Sequence, residues 1–261
     1  MTNPAAQPER GGSVGVDDWD DHWRRYQGSN GENPANVYRR QLIFGVLAEA
    51  GAPRRVLDIG SGQGDLLVEV HRHWPTAEVA GVELSAEGIA AAQRKLPEAT
   101  FLQRNLLDDP EADSALRGWA THAVCSEVIE HVDDPARLLR HASDFLAGGA
   151  TLVITVPGGP MSAFDRHIGH RVHYTVDSLC QVMEDAGLTV DRVQGSGFPF
   201  FNLYRKLVIL RGDKLIDEVD TSDGDLNKST QAVLRGFGLA FKVNRPDTRW
   251  GTQIVGVARK P

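Results

Sequence analysis

Apolar segments that suit β-strands alternate with amphipathic segments that suit α-helices along most of the chain. The amphipathic segments place apolar residues three and four positions apart, the spacing of one helix face. Strands that alternate with helices form a parallel sheet with helices on both faces, so the pattern predicts an α/β fold. The predicted strands are residues 55–59, 78–82, 100–104, 122–126, 151–156, 189–193 and 253–258.

The points where this alternation starts and stops predict how the chain is divided. Residues 1–16 contain several prolines and glycines and lack periodicity, which predicts a disordered leader. Residues 17–50 predict an N-terminal lid followed by a helix, and residues 51–195 form the alternating core. Residues 196–250 predict a helical insertion that caps a pocket, although a core helix pair or a dimer face would leave the same pattern. Residues 251–261 return as the final strand.

The composition excludes several classes of partner. The 261 residues carry a formal net charge of −7 and a pI of about 5.7, whereas nucleic-acid binding needs clustered Lys and Arg. Cys125 and Cys180 lie in a strand and in a helical pattern, so no disulfide framework is expected. Neither a membrane-spanning apolar run nor a signal peptide is recognisable. We expect a cytoplasmic protein that acts on small molecules and binds neither nucleic acid nor membrane. Its oligomeric state stays open, a homodimer included.

The first predicted strand leads into a glycine-rich turn. The strand carries Asp58, and residues 60–64 read Gly-Ser-Gly-Gln-Gly before a helical pattern begins. Glycines there allow positive φ and close approach of a ligand, and the helix directs free N–H groups at that ligand. A dinucleotide-binding turn needs its third glycine where Asp65 stands, and a carboxylate beside the turn would repel a diphosphate. Glu83, at the end of the second strand, is suited to bind a ribose diol, so a nucleoside without phosphates is favoured.

Three segments resemble the class I S-adenosylmethionine-dependent methyltransferases in order and spacing. They are the glycine turn at 58–64, the acidic strand end at 81–85, and Ser-Glu-Val-Ile-Glu-His-Val at 126–132, and the resemblance covers roughly residues 40–195. It implies a Rossmann-like, doubly wound, mostly parallel seven-stranded sheet and S-adenosyl-L-methionine as the cofactor. The cofactor-binding residues that it implies are Asp58, Gly60, Ser61, Gly62, Gly64, Glu83, Leu84, Asn105, Leu106 and Glu127.

Two further contacts are expected, one with the adenine and one with the sulfonium of the cofactor. The family usually presents an acid to the adenine amino group after the third strand, but this chain has Asn105 there, so Asn105 or the next backbone N–H is expected to take that contact. Residues 17–26 are dense in acids and aromatic rings, which attract cations, so Trp19 is expected to cover the sulfonium. Simple docking of these rings on the protein body is the alternative.

Three histidines are the candidate proton acceptors for the methyl acceptor. His131 follows the fourth strand, while His170 and His173 lie in a Gly-His-x-x-x-Tyr-Thr segment that resembles part of many small-molecule methyltransferases. A histidine base suits a hydroxyl acceptor, so O-methylation is favoured over N- or C-methylation. A structural role for His131 stays open. The spacing of His167, His170 and His173 is too loose for a zinc signature, so no metal site is predicted.

Two rival functions remain at this point. An NAD-linked oxidoreductase shares the strand, turn and helix pattern, but Asp65 argues against it. A catalytically silent subunit would keep the cofactor residues and lack acceptor chemistry.

Overall fold

The computed structural model describes residues 19–20, 23, 33–108, 115–221 and 235–261. The predicted leader at 1–16 lies outside the described residues. The strands are β1 (Arg55–Ile59), β2 (Glu78–Glu83), β3 (Thr100–Gln103), β4 (Ala120–Ser126), β5 (Leu146–Pro157), β6 (Thr189–Ser196) and β7 (Gln253–Arg259). The helices are α1 (Pro34–Glu49), α2 (Asp65–His73), α3 (Ala86–Lys95), α4 (Pro135–Ala142), α5 (Ala163–His167), α6 (Val176–Asp185) and α7 (Phe200–Thr221), and residues 235–240 are also helical. Short 3₁₀ turns lie at Ile129–His131, Ser143–Phe145 and Phe241–Val243.

The strands form one seven-stranded sheet in the order β3-β2-β1-β4-β5-β7-β6. The pairs from β3 to β5 are parallel, and β7 runs antiparallel between β5 and β6. The chain moves outward from β1 to β3 and then returns to place β4 beside β1. Open α/β sheets bind ligands in the crevice at such a reversal, beyond the carboxyl ends of the strands. The predicted mostly parallel, doubly wound sheet is confirmed.

Both faces of the sheet are covered by helices, which gives two apolar layers. Along β1, Val56 packs in one layer with α1 and α2, while Leu57 and Ile59 pack in the other with α4 and α6. This alternation follows from the period of two residues in a strand. Because both faces of the sheet are covered, the central strands β1, β2 and β4 are mostly apolar, whereas the edge strand β3 is only partly buried.

Side-chain caps fix the starts of three helices that flank the crevice. Ser85 accepts a hydrogen bond from the N–H of Gly88 at the start of α3, and Thr175 and Asp134 cap α6 and α4 in the same way. Each cap satisfies an N–H that the helix itself leaves unpaired.

The insertion before β7 begins with a long helix that packs on α1. Phe201 and Phe241 form a buried aromatic cluster with Tyr38, whose hydroxyl lies 2.8 Å from Oγ of Ser196. The helix α7 continues through Thr221. Residues 222–234 lie outside the described part. No helix in the described ranges has the length and apolar character needed to cross a membrane.

Candidate active site

The glycine turn lies between β1 and α2 at the carboxyl edge of the sheet. Gly60, Gly62 and Gly64 have φ angles of 73°, 50° and 75°, a region that residues with a Cβ rarely adopt. A Cβ on Gly60 would lie 2.5 Å from Cγ2 of Val128, and one on Gly62 would overlap the indole ring of Trp23. Glycine is therefore required at both positions, and the turn keeps its backbone within reach of a ligand.

Glu83 holds this turn from the end of the neighbouring strand. The residue is 6% exposed, and its carboxylate accepts hydrogen bonds from the backbone N–H groups of Gly62 (2.7 Å), Leu84 (2.9 Å) and Ser85 (2.9 Å). Burial raises the pKa of Glu83, although the three N–H groups oppose that shift. A carboxylate has about four acceptor positions, so one remains for a hydroxyl of a ligand.

Asp58 and Ser61 add buried polar groups beside the turn. Asp58 is 4% exposed, and burial together with the nearby Glu83 carboxylate raises the pKa of Asp58 to about 7. Ser61 is also buried, and its Oγ has no hydrogen-bond partner among the described residues. Buried hydroxyls normally have a partner, so a polar ligand group is a natural one for Ser61. These features fit a nucleoside cofactor.

A cavity of about 700 Å³ lies over the ends of β1, β2 and β3, and we call it the cofactor cavity. Most of the predicted cofactor-binding residues line it, together with Arg104 and Arg171 from neighbouring loops. The predicted residues in its lining are Trp19, Gly60, Glu83, Leu84, Asn105, Leu106 and Glu127.

The remaining predicted residues take other places around the turn. Asp58 and Ser61 line a second cavity, Gly62 lies against the Trp23 ring, and Gly64 faces Ala92 of α3. Asn105 lines the cofactor cavity, but its amide group donates to Asp108 Oδ2 at 2.6 Å and its Oδ1 accepts from Leu107 N–H. The backbone of Leu106 is therefore better placed than the Asn105 side chain to contact an adenine.

The second cavity, of about 560 Å³, lies between α1, α7 and the ends of β4, β5 and β7, and we call it the acceptor cavity. Its lining mixes aromatic rings with charged groups, including Arg39, Tyr204, Arg205 and His170. The two cavities share one wall, the dividing wall, which is formed by Trp19, Trp23, Gly60, Glu127 and His131. A group passed between ligands in the two cavities would cross at this wall.

Glu127 stands in the dividing wall in an unusual backbone conformation. Its φ is 55°, the one positive value reported for a non-glycine residue in the described ranges, and such backbone geometry persists only where surrounding contacts hold it. Arg39 contacts Oε2 at 3.1 Å, while Gln253 and Thr155 donate to Oε1 at 2.9 and 3.3 Å. Arg39 also donates to Gln253 Oε1 at 3.0 Å, which closes the network.

No motif or spacing in the sequence indicates that Arg39 and Gln253 belong to the site. They come from α1 and β7, 214 positions apart, and neither lies in a recognisable motif. Only the folded sheet brings them together beside Glu127.

The three predicted histidines form a row that begins at the dividing wall. The rings of His131 and His170 are perpendicular with centroids 4.7 Å apart, and Trp19 packs edge-on against His131 at 4.9 Å. His170 Nδ1 lies 3.1 Å from His173 Nε2, and His173 Nδ1 lies 3.1 Å from the carbonyl oxygen of Gly159. His131 and His170 line the acceptor cavity, whereas His173 lies behind them.

Burial sets the ionisation of His170 and His173. It lowers the pKa of His170 to about 4, despite the opposing effect of Asp165, and it lowers the pKa of His173 as well. Asp165 is engaged elsewhere, by two hydrogen bonds from Arg205 at 3.0 and 3.2 Å and by Ser162. These partners outweigh burial and hold the pKa of Asp165 at about 2.

Glu130 lies one residue before His131 and was not among the predicted site residues. It is completely buried, and burial together with the Glu127 carboxylate raises its pKa well above the usual range. Its Oε1 lies 4.0 Å from Nε2 of His131. The sequence could have indicated Glu130, because it belongs to the segment 126–132 that resembles the methyltransferase family.

Comparison with known proteins supports the class that the sequence resembles, the methyltransferases. Residues 35–193 match the protein-family model described as a methyltransferase domain. A trans-aconitate 2-methyltransferase from Mycobacterium sp. (strain KMS) is 35% identical over 128 residues, covering 46% of this chain and 46% of that protein. A ubiquinone biosynthesis O-methyltransferase from Aeromonas salmonicida (strain A449) is 28% identical over 169 residues, covering 58% of this chain and 70% of that protein.

Solved structures share the fold at low sequence identity. Phosphoethanolamine N-methyltransferase 2 from Haemonchus contortus matches with a TM-score of 0.59 at 18% identity, over 93% of this chain and 57% of that one. Geranyl diphosphate C-methyltransferase from Streptomyces coelicolor A3(2), in complex with Mg2+, geranyl diphosphate and S-adenosyl-L-homocysteine, matches with a TM-score of 0.54 at 18% identity, over 85% and 78%.

The family match covers more than half of the chain, so the chain belongs to the class I S-adenosylmethionine-dependent methyltransferases. The cofactor of this family is S-adenosylmethionine, as the sequence predicted. The chain spans about half the length of the first curated relatives that it matches.

Proposed function

We propose that this protein transfers a methyl group from S-adenosyl-L-methionine to an oxygen atom of a small-molecule acceptor. The observation that carries the proposal is the pair of adjoining cavities, whose dividing wall contains Glu127 and His131. A donor on one side and an acceptor on the other would meet there, in line and away from bulk water.

The cofactor half of the site uses the predicted residues. Glu83 accepts a ribose hydroxyl at its remaining acceptor position, the Leu106 backbone contacts the adenine with Asn105 beside it in the cavity lining, and Leu84 packs on the nucleoside. Gly60, Gly62 and Gly64 allow the close approach, with Asp58 and Ser61 as polar groups of the turn. Trp19 and Glu127 lie at the dividing wall, where an aromatic face and a carboxylate attract a sulfonium.

S-Adenosylmethionine supplies, when bound, an electrophilic methyl group, and the electrons of the broken S–C bond remain on sulfur. The chain has to align the acceptor oxygen with that methyl group and assist the loss of the proton of a hydroxyl acceptor. His131 and His170 are the residues proposed for this assistance, because their rings line the acceptor cavity at the dividing wall. His173 is a positioning residue, since it holds Nδ1 of His170.

Oxygen is favoured by the histidines and by the similarity to an O-methyltransferase of ubiquinone biosynthesis. A nitrogen or carbon acceptor is the alternative, because the fold neighbours include an N-methyltransferase and a C-methyltransferase. The acceptor cavity, of about 560 Å³, has the size of a small-molecule site.

Two measurements test the proposal. Thermal-shift titrations with S-adenosylmethionine, S-adenosylhomocysteine and NAD should show stabilisation by the first two only, because a ligand that binds the folded state raises its melting temperature. Release of S-adenosylhomocysteine should then be followed with pools of phenols, carboxylic acids, amines and activated-carbon acceptors. Turnover with oxygen acceptors supports the proposal. Turnover with amines or carbon acceptors alone rejects the oxygen assignment, and cofactor binding without turnover on any pool favours a silent subunit.

A further inference from the structure

Glu130 is a completely buried carboxylate that accepts no hydrogen bond from the side chains of the described ranges. Its side chain has no exposed surface, and neither of its two carboxylate oxygens has a hydrogen-bond partner among the described residues. Burying a carboxylate in this way is costly unless the group is neutralised by a proton, paired with a charge or bound to a metal ion. Glu130 therefore needs a proton or a positively charged partner that the described residues do not supply.

Two imidazole rings lie beside this carboxylate. The ligand atoms of Glu130, His131 and His170 all lie within 4.8 Å of one another, and Glu130 Oε1 is 4.0 Å from His131 Nε2. Ligands held at about 2.1 Å from a single ion are roughly 3.4 to 4.2 Å apart. Small side-chain rotations would bring the three groups to that separation. We propose that Glu130, His131 and His170 bind one divalent transition-metal ion at the dividing wall.

The hydrogen bonds behind His170 set the tautomer that metal binding needs. The carbonyl oxygen of Gly159 can only accept, so His173 carries its proton on Nδ1 and presents a lone pair at Nε2. That lone pair accepts from Nδ1–H of His170, which leaves Nε2 of His170 free of its proton. Metal-binding histidines are oriented in this manner by an outer partner on the second ring nitrogen.

A second group of possible ligands, Asp165, His170 and His173, does not meet these conditions. Its carboxylate is already bound by Arg205 and Ser162. The facing nitrogens of its two histidines are hydrogen-bonded to each other. A cation there would have to break each of these contacts, whereas Glu130 accepts no hydrogen bond from any described side chain.

The donor set defines the kind of ion. Two imidazole nitrogens and one carboxylate oxygen suit zinc, manganese, cobalt or iron in the divalent state better than calcium or magnesium. Three protein ligands leave coordination positions open, as in catalytic rather than structural sites. Because His131 and His170 line the acceptor cavity, the open positions would face the acceptor.

The role of the ion rests on the proposed methyl transfer, but its binding does not. A cation at this wall would attract the oxygen of a hydroxyl or carboxylate acceptor and would favour loss of the hydroxyl proton to water. His131 and His170 would then assist proton loss through the ion that they hold.

Cobalt(II) binding to the full chain tests the site without any substrate. Protein stripped with a chelator is titrated with cobalt chloride, and binding is followed by calorimetry and by the visible absorption bands of the bound ion. We expect one ion per chain and bands typical of nitrogen and oxygen ligands. Absence of saturable binding, or bands that are unchanged from aqueous cobalt, overturns the site.

Substitutions identify the ligands. Glu130→Gln and His170→Asn should each weaken cobalt binding more than about a hundredfold, since loss of an outer partner alone costs ten- to hundredfold. Asp165→Asn, from the competing group, should change it less than about threefold. Wild-type binding by both ligand variants, or loss of binding in Asp165→Asn, rejects the assignment. Circular dichroism and S-adenosylhomocysteine binding show whether each variant is folded. If Glu130→Gln does not fold, the cobalt affinity of His170→Asn alone tests the assignment. Metal binding without methyl transfer would reject the proposed function and leave this site intact.

Discussion

The cofactor cavity and the acceptor cavity adjoin, but they are assembled in different ways. The cofactor cavity is lined largely by loops that directly follow β1, β2, β3 and β4. The acceptor cavity draws on α1, α5, α7 and β7, and its Arg39 and Gln253 are 214 positions apart. One half of the site is therefore local in sequence, whereas the other exists only after the whole sheet has formed.

The carboxylates Glu83, Glu127 and Asp165 are held by different groups in the two halves. Glu83, on the cofactor side, is held by three backbone N–H groups. Glu127 and Asp165, around the acceptor cavity, are held by the side chains of Arg39 and Arg205. Substitutions on the cofactor side should damage the turn and the binding of cofactor, and substitutions on the acceptor side should damage turnover with less effect on cofactor binding.

The largest effect is expected for Glu83→Ala. It removes the acceptor of three N–H groups and the proposed ribose contact, and a hydrogen bond to a charged group contributes about 1.5–3 kcal/mol. Affinity for S-adenosylhomocysteine, measured by calorimetry, should fall more than about a hundredfold. Glu78→Ala at the exposed start of β2 is the matched control, and equal affinities for the two variants would contradict the role of Glu83.

The histidine row should separate turnover from cofactor binding. His131→Ala and His170→Ala are each expected to lower turnover about a hundredfold, the usual lower contribution of a group that assists proton transfer. Affinity for S-adenosylhomocysteine should change little for His170→Ala, because that residue does not line the cofactor cavity. His71→Ala, on α2, serves as the control. If His131→Ala and His170→Ala both turn over at the wild-type rate, neither histidine assists proton loss.

Arg39→Met tests the support of the dividing wall from α1. Methionine keeps the apolar stem and removes the contacts to Glu127 and Gln253. With Glu127 less constrained, turnover should fall about tenfold, while cofactor affinity changes less than threefold, because a small displacement of an aligned group reduces rate more than binding. Arg192→Met removes an exposed ion pair with Glu49 and should leave both quantities unchanged. A larger loss of affinity than of turnover in Arg39→Met would contradict this division of roles.

The sequence predicted the fold and the cofactor side because their signals are local. The glycines, Asp58 and Glu83 follow strands whose apolar runs are visible in the chain, and a strand end is an edge of the sheet wherever that strand lies. The acceptor side gave no such signal. In the sequence, Arg39 is typical of a surface position on a helix, and Gln253 is typical of the polar start of an apolar strand. The antiparallel pairing of β7 with β5 places Gln253 beside Val156 and Glu127.

The burial of Glu130 was equally hidden from the sequence. Its segment was recognised, but a helix or turn pattern does not show that one carboxylate faces inward without a donor. In the 3₁₀ turn at Ile129–His131, the Glu130 side chain is buried in the protein interior, whereas the His131 side chain lines both cavities. Long-range packing therefore decides which of two adjacent polar residues is buried.

The smallest effect is expected for Asp58→Asn and concerns stability rather than binding. Burial and the Glu83 carboxylate raise the pKa of Asp58 from 3.8 to about 7, and the Cys125 thiol also lies near it. The folded protein therefore retains a proton on Asp58 at pH values where the unfolded chain has lost it. The protonated Asp58 therefore contributes to the free energy of unfolding of the wild type. This contribution is complete below pH 4, decreases as the pH rises, and is lost above pH 7.

Asparagine resembles the protonated acid in shape and cannot ionise, so the variant escapes this loss. At pH 8 its melting temperature without cofactor should exceed that of the wild type by a few degrees, and the difference should shrink steadily as the pH is lowered toward 5. Asp191→Asn, whose carboxylate pairs with Arg259 on the surface, is the control without such a trend. A difference that grows toward low pH would mean that Asp58 is ionised and favourably paired in the folded protein, and the cofactor side would then depend on side-chain pairing as the acceptor side does.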